Sequence, residues 1–173
     1  MLFIPEVTTT VKVRIDTSDF DKIESMGGVF DELIYDLQEK RRELDNLQDP
    51  VAETVANTLG EYQRQIISMK HYSSGMMANS VMTEQDGDGV YMVGPSAESV
   101  DGFPYPLAIE TGRREVYPVN AKYLRWWDNT GNVVFSKYSS AVAADPYVQP
   151  SIDNTTDDVE QIINSYLDNV LGP

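Results

Sequence analysis

His71 is the only histidine among 173 residues, and the only side chain whose ordinary pKa lies near neutrality. It stands beside Lys70 at the end of an amphipathic stretch, where a histidine is normally a surface residue. No G-x-S-x-G elbow and no H-E-x-x-H pair occurs in the sequence. The chain has no Cys, which excludes a disulfide, a thiolate metal site and a cysteine nucleophile. Asp86-Gly87-Asp88-Gly89 opens like a calcium loop, but Val90 stands where the third acid belongs and Ala97 where the closing Glu belongs. We therefore read that segment as a hairpin turn. Glu110 and Glu115, separated by Arg113 and Arg114, have the residue types of an acid pair. Nothing in their spacing fixes a carboxylate separation, so they are expected to form turn salt bridges. There is no Gly-rich phosphate loop. The expectation is no enzyme, with no catalytic residue, no cofactor and no metal. A hydrolase using His71 and nearby acids is the enzymatic alternative, and it has no substrate that the sequence names.

The charge excludes further classes. The chain holds 28 acidic and 13 basic residues, a net charge of −15. Non-specific affinity for nucleic acid comes from neutralising phosphates, so this chain is not expected to grip DNA. It is also not a disordered acidic segment, because 41% of it is hydrophobic and 10% aromatic, enough for a core. Lys is scarce, at 6 residues. Acid excess with little Lys fits a protein adapted to high salt, whose stability falls as salt is removed. The opening MLFIPEV lacks a basic region, so it is not expected to be a signal peptide. No apolar run approaches the roughly 18 residues of a membrane helix, so no membrane contact is expected.

Acid is unevenly spread. Residues 84–101 and 145–173 carry acids and no base, whereas 104–137 is net positive. In that block Arg113, Arg114, Lys122, Arg125 and Lys137 interleave with Tyr105, Tyr117, Tyr123, Trp126, Trp127, Phe135 and Tyr138. Basic residues among aromatics can stack single-stranded nucleic acid, but the overall charge argues against it. Trp and Arg also dominate protein–protein hot spots. Alternation in a strand puts Leu124 and Trp126 on one face and Tyr123, Arg125 and Trp127 on the other. One face can enter the core while the other is presented to a partner. The candidate interface residues are Arg113, Arg114, Lys122, Arg125, Trp126 and Trp127.

The elements that position these residues follow from periodicity. Residues 7–16 alternate Val11, Val13 and Ile15 with Lys12, Arg14 and Asp16, a half-buried strand. A helical region spans 20–71. Within 29–47, Phe30, Leu33, Ile34, Leu37, Leu44 and Leu47 share a face. Asp49-Pro50 starts a second helix with the stripe Val51, Val55, Leu59, Tyr62, Ile66 and Met69. Strands are expected at 78–84, 89–93, 121–127 and 132–138, with turns at 86–89 and 128–131. Residues 139–150 read as a loop. A final helix over 155–171 is capped by Asn154 or Thr155, with Asp157, Asp158 and Glu160 in its first turn. The expected fold is a single α+β domain: a small, mostly antiparallel sheet packed by a long N-terminal helical segment and a C-terminal helix.

Five short stretches occur in an order that resembles one known family. Tyr72-Ser73-Ser74-Gly75-Met76-Met77-Ala78-Asn79-Ser80-Val81 resembles a "T-G-x-L-x-x-S-I" stretch, and a strand ending in Val93-Gly94 follows. Tyr105-Pro106-Leu107-Ala108-Ile109-Glu110-Thr111-Gly112 is similar to "Y-A-x-x-V-E-x-G-T". Pro118 to Leu124 (PVNAKYL) is similar to "P-x-x-A-K-x-L", and Pro146 to Ile152 (PYVQPSI) to "P-x-F-L-R-P-A". Together they resemble the head–tail joining (neck or tail-completion) proteins of tailed viruses, over roughly residues 20–171. Ser74, Pro106, Gln149 and the Pro50 break depart from that pattern. The motif positions are Gly75, Ser80, Tyr105, Glu110, Gly112 and Pro150.

The resemblance implies a non-catalytic virion structural protein at the head–tail junction, assembled in the host cytoplasm. Such proteins form a ring, a hexamer in the first instance, between head-completion or adaptor proteins and the tail tube or tail terminator. DNA passes through without sequence-specific binding. An acidic lining would let it slide, and the net-positive block would pair with acidic surfaces of neighbours. Two other readings stand beside this one: a tail terminator, and a non-viral acidic protein-binding module using the Trp126/Trp127 surface.

Overall fold

A computed structural model of the chain describes residues 7–18, 20, 31–71, 75–96, 105–127 and 130–172, with the backbone alone at 31–34 and 71. Its elements are β1 (Thr9–Lys12), α1 (Asp31–Asp45), α2 (Gln48–His71), α3 (Met76–Asn79), β2 (Val81–Gly87), β3 (Val90–Pro95), α4 (Tyr105–Thr111), β4 (Leu124–Trp127), β5 (Val133–Ser136) and α5 (Val148–Leu171). One sheet has the order β1-β3-β2, and β4 and β5 form a separate two-stranded hairpin. The fold is α+β, a small antiparallel sheet packed against helices, with long α1 and α2 and a C-terminal helix.

Contacts divide the chain into two units. One holds Thr9–Tyr62, Thr83–Val93 and the stretch from Ile152 onward. Its core joins Ala52, Ala56 and Leu59 of α2 to Tyr91 and Val93 of β3, with Val11 and Val13 packed against them. Two alanines one turn apart let the helix approach the sheet closely. They widen the buried face of α2 beside the expected stripe, of which Val51, Val55, Leu59 and Ile66 are buried while Met69 is 77% exposed. Tyr62 is half-buried, its hydroxyl donating to Asp158 Oδ2 at 2.9 Å. The same unit anchors the β2–β3 turn. Asp49, in the first turn of α2, accepts from Gly89 N at 3.1 Å, Gln85 Nε2 at 2.8 Å and the Tyr91 hydroxyl at 3.3 Å. Gly89 has φ +64°, and a Cβ there would lie 3.1 Å from the Val13 carbonyl oxygen. The turn therefore requires glycine.

The expected strand over 7–16 is shorter as a ladder. Side chains alternate half-buried and exposed from Val7 to Ser18, as the pattern predicts. Pairing with β3 runs only from Thr9↔Val93 to Lys12↔Val90, and one further bond joins Val13 N to the Gly89 carbonyl. The partner strand ends in its turn, so the ladder ends with it.

The other unit holds Val7 and Thr8, Gln63–Met82 and Gly94–Ser151. Ile66 and Ile67 of α2, Met77 and Ala78 of α3, Val81 of β2 and Tyr147 form its core, with Val7, Ile109 and Val148 against them. Tyr147 and Ile67 are 0% and 1% exposed. At Gly94 the chain passes so close to Val7 that an added Cβ would collide with its carbonyl oxygen.

The C-terminal helix corrects the sequence reading most. It starts at Val148, seven residues before the expected Thr155, and Pro150 sits in its first turn. Neither Asn154 nor Thr155 caps it. Thr155 is buried at 3% exposure within the helix, and Asp157, Asp158 and Glu160 lie in its middle. The cap comes from Glu110 of α4, whose Oε2 accepts from Tyr147 N at 2.9 Å and Val148 N at 3.3 Å. A carboxylate at a helix start satisfies orphan N–H groups and complements the dipole.

Candidate interaction surface

The described residues of types that do chemistry are used elsewhere or stand apart. His71 ends α2, and its side chain lies outside the described residues. Among the described residues Glu110 and Glu115 do not form the expected turn salt bridges. Glu110 caps α5, while Glu115 accepts from the Tyr117 hydroxyl at 2.7 Å. Arg113 Nη2 donates to Ser139 Oγ at 2.6 Å instead. Asp86 is at the exposed end of β2 and Asp88 in the turn after it. Among the described residues no group of three or more acids or histidines could hold a metal ion.

The motif positions are mostly structural. Gly75 is buried at the start of α3 with φ 72°. Ser80 Oγ donates to the Met77 carbonyl at 2.8 Å, and the Ser80 carbonyl accepts from Ser96 N at 3.1 Å. Gly112 follows α4 with φ 74°, and a Cβ there would sit 2.8 Å from Ala144 N. The turn therefore excludes every side chain. Pro150 is half-buried in the first turn of α5. Tyr105 alone is open, at 48% exposure. Residues 72–74 of the first motif lie outside the described residues.

Beyond Gly112 the chain runs out and returns as an arm, residues 113–142. Its base is closed by antiparallel bridges Arg113↔Val142 and Val116↔Ser139. In the β4–β5 hairpin Leu124 pairs with Ser136, Arg125 with Phe135, Trp126 with Val134 and Trp127 with Val133. Asp128 and Asn129, expected in the connecting turn, lie outside the described residues. Midway the Tyr117 and Tyr138 rings stack, their centroids 6.0 Å apart. No described residue of 113–142 belongs to either buried core.

The register gives the arm two unlike faces, since directly opposed residues share a side. Leu124, Val134 and Ser136 are half-buried on one side, with Trp126 at 40% exposure. The other side presents Arg125, Trp127, Val133 and Phe135. There Trp127 is 63%, Phe135 64% and Val133 41% exposed. The Arg125 guanidinium lies 4.9 Å from the Trp127 ring, a cation–π contact, and Lys122 Nζ lies 5.5 Å from the Tyr123 ring. Both tryptophans are thus solvent-facing, Trp127 the more so. All six expected interface residues, Arg113, Arg114, Lys122, Arg125, Trp126 and Trp127, fall on this one arm, and Arg113 is the half-buried one, at its base. The sequence pattern located the arm's strands but not its base, because the 113–142 and 116–139 bridges link residues too far apart for local periodicity to pair. It placed Tyr147 in a loop, as observed just before α5, but not its full burial, which depends on residues far away in the chain.

No family profile, no curated protein and no solved structure matches this chain.

Proposed function

We propose that the chain is a structural protein of a virion's head–tail connector, a neck or tail-completion protein that assembles into a ring through which genome DNA passes. One observation carries the reading. Three of the stretches that resemble the neck family pack into one core, where Met77, Ala78 and Val81 meet Ile109, Tyr147 and Val148, and Glu110 of the second stretch caps the helix that the last one begins. Those residues are thereby committed to the fold. The arm that interrupts them carries an apolar face outward with basic residues beside it. A self-assembling protein needs such a surface, and side-to-side contacts that close make rings. Exposed carboxylates such as Glu84, Asp86 and Asp88 would let DNA pass without holding it.

The partners in this reading are further copies of the chain, head-completion or adaptor proteins, and the tail tube or its terminator. Antibody-gold labelling of purified virions in negative stain tests it. Label at the head–tail junction is expected; label on the head shell or along the distal tail would overturn it. In a deletion virus, filled heads and normal tails that fail to join are expected. Tails of abnormal length would point to a terminator instead, and a stable monomer without a virion would point to a binding module.

A further inference from the structure

The arm's outward face has a counterpart in the unit built on β1, α2 and α5. A groove of about 350 Å³ lies there between Val11 of β1, Val55 and Leu59 of α2, and Ile152 and Val159 of α5. Its walls are aliphatic and threonine-lined, and its volume is at the low end of the ~300–1,000 Å³ that ligand sites span. That space accepts an aromatic side chain or two. Its rim is acidic. Glu160 lines it, and Asp153 and Asp157 share the exposed face of α5 with Thr156 and Glu160 at helical spacing. Over Val148–Leu171 the helix holds five acids and no base.

We propose that this groove receives the β4–β5 arm of a second copy of the chain, with Trp127 and Phe135 entering it and Arg125 meeting the α5 carboxylates. The match is double. Aromatic and aliphatic side chains left open at the arm meet an apolar cleft, and a basic flank meets an acidic rim. Such a contact joins two different surfaces and so repeats head to tail, which is the kind that closes into rings. Charge opposition fixes its orientation, and the buried aromatics supply its energy. The inference rests on the ring reading for the copies it joins, and its test separates the two.

The absence of Cys makes that test clean. Val133→Cys, beside Trp127 on the arm, and Thr156→Cys, on the groove's exposed rim, are made in separate proteins and mixed with a short bismaleimide. A cross-linked dimer containing one of each is expected only in the mixture. Thr156→Trp fills the groove and is expected to cut the yield about tenfold, with circular dichroism unchanged. Should that variant misfold, charge reversal replaces it. Arg125→Glu on the arm protein lowers the yield about tenfold, and Glu160→Arg on the groove protein restores it. Oligomers in sedimentation without the mixed cross-link would overturn the arm-in-groove contact and leave the ring reading standing. A protein that stays monomeric at all concentrations would overturn both.

Discussion

Tyr147 and Trp127 are both large aromatic residues in the same half of the chain, and they are treated in opposite ways. Tyr147 is 0% exposed among Ile66, Ile67, Met77, Ala78 and Val81, and its backbone N–H is held by Glu110. Trp127 is 63% exposed at the end of an arm, touched on its open side by Arg125. Around Tyr147 the polar and apolar groups satisfy one another within the chain. Around Trp127 an apolar face and a basic flank stay exposed. The same residue class thus does two jobs, and solvent exposure with backbone register, rather than composition, tells them apart.

The sharpest way to break that contrast is truncation. Tyr147→Ala should cost ~3–5 kcal/mol, the usual loss for a large buried side chain, measured by urea denaturation. A loss under about 1 kcal/mol would mean that the core does not depend on it. Tyr147→Phe should be nearly neutral at pH 7, because the buried hydroxyl has no hydrogen-bond partner among the described residues. The two proteins should part at high pH. Burial, then the Glu110 charge, raises the Tyr147 pKa above its usual value near 10. A raised folded pKa contributes stability that is complete below the unfolded value and is lost as pH climbs above it. Wild type should therefore weaken above pH ~10 more steeply than Tyr147→Phe does. Equal slopes would remove Tyr147 from the titration.

Gly112→Ala comes next, at ~1–3 kcal/mol, since it forces a Cβ onto backbone at positive φ. A thermal shift near zero would show that the turn after α4 can relax. Glu110→Ala should cost ~1 kcal/mol, the worth of a helix cap, and should shorten α5 at its start. Hydrogen exchange at residues 148–151 reads that directly, and protection equal to wild type would mean another group caps the helix. At the small end, Trp127→Ala and Arg125→Ala should change stability by no more than ~0.5 kcal/mol while weakening ring assembly or tail joining. A variant that unfolds outright would place its residue in a core and erase the contrast.

Much of this was legible in the sequence where the cause is local. The 3 and 4 spacing of Val51, Val55, Leu59 and Ile66 marked α2, and Asp86-Gly87-Asp88-Gly89 marked the β2–β3 turn. Asp128 to Gly131 likewise separated β4 from β5. What was missed has a distant cause. The start of α5 depends on a carboxylate 37 residues upstream, so the local rule chose Asn154 or Thr155. The seven-residue α4, with Pro106 inside it, is too short to show a period. On the arm, the alternation correctly put Arg125 and Trp127 on one face. That Trp126 is also open at 40% could not be read, because exposure on the second face depends on what the arm packs against.

The last helix also has an electrical side. Its first turn carries no acid of its own and its last turn no base. Glu110 supplies a negative charge at one end, and at the other the Lys40 ammonium donates to the Val170 carbonyl. α5 is therefore an electric dipole clamped at both poles by charges borrowed from other helices. None of its own carboxylates is needed to seat its ends. A mid-helix acid such as Asp157 or Glu160 can thus be neutralised by a neighbour without loosening the helix that carries it.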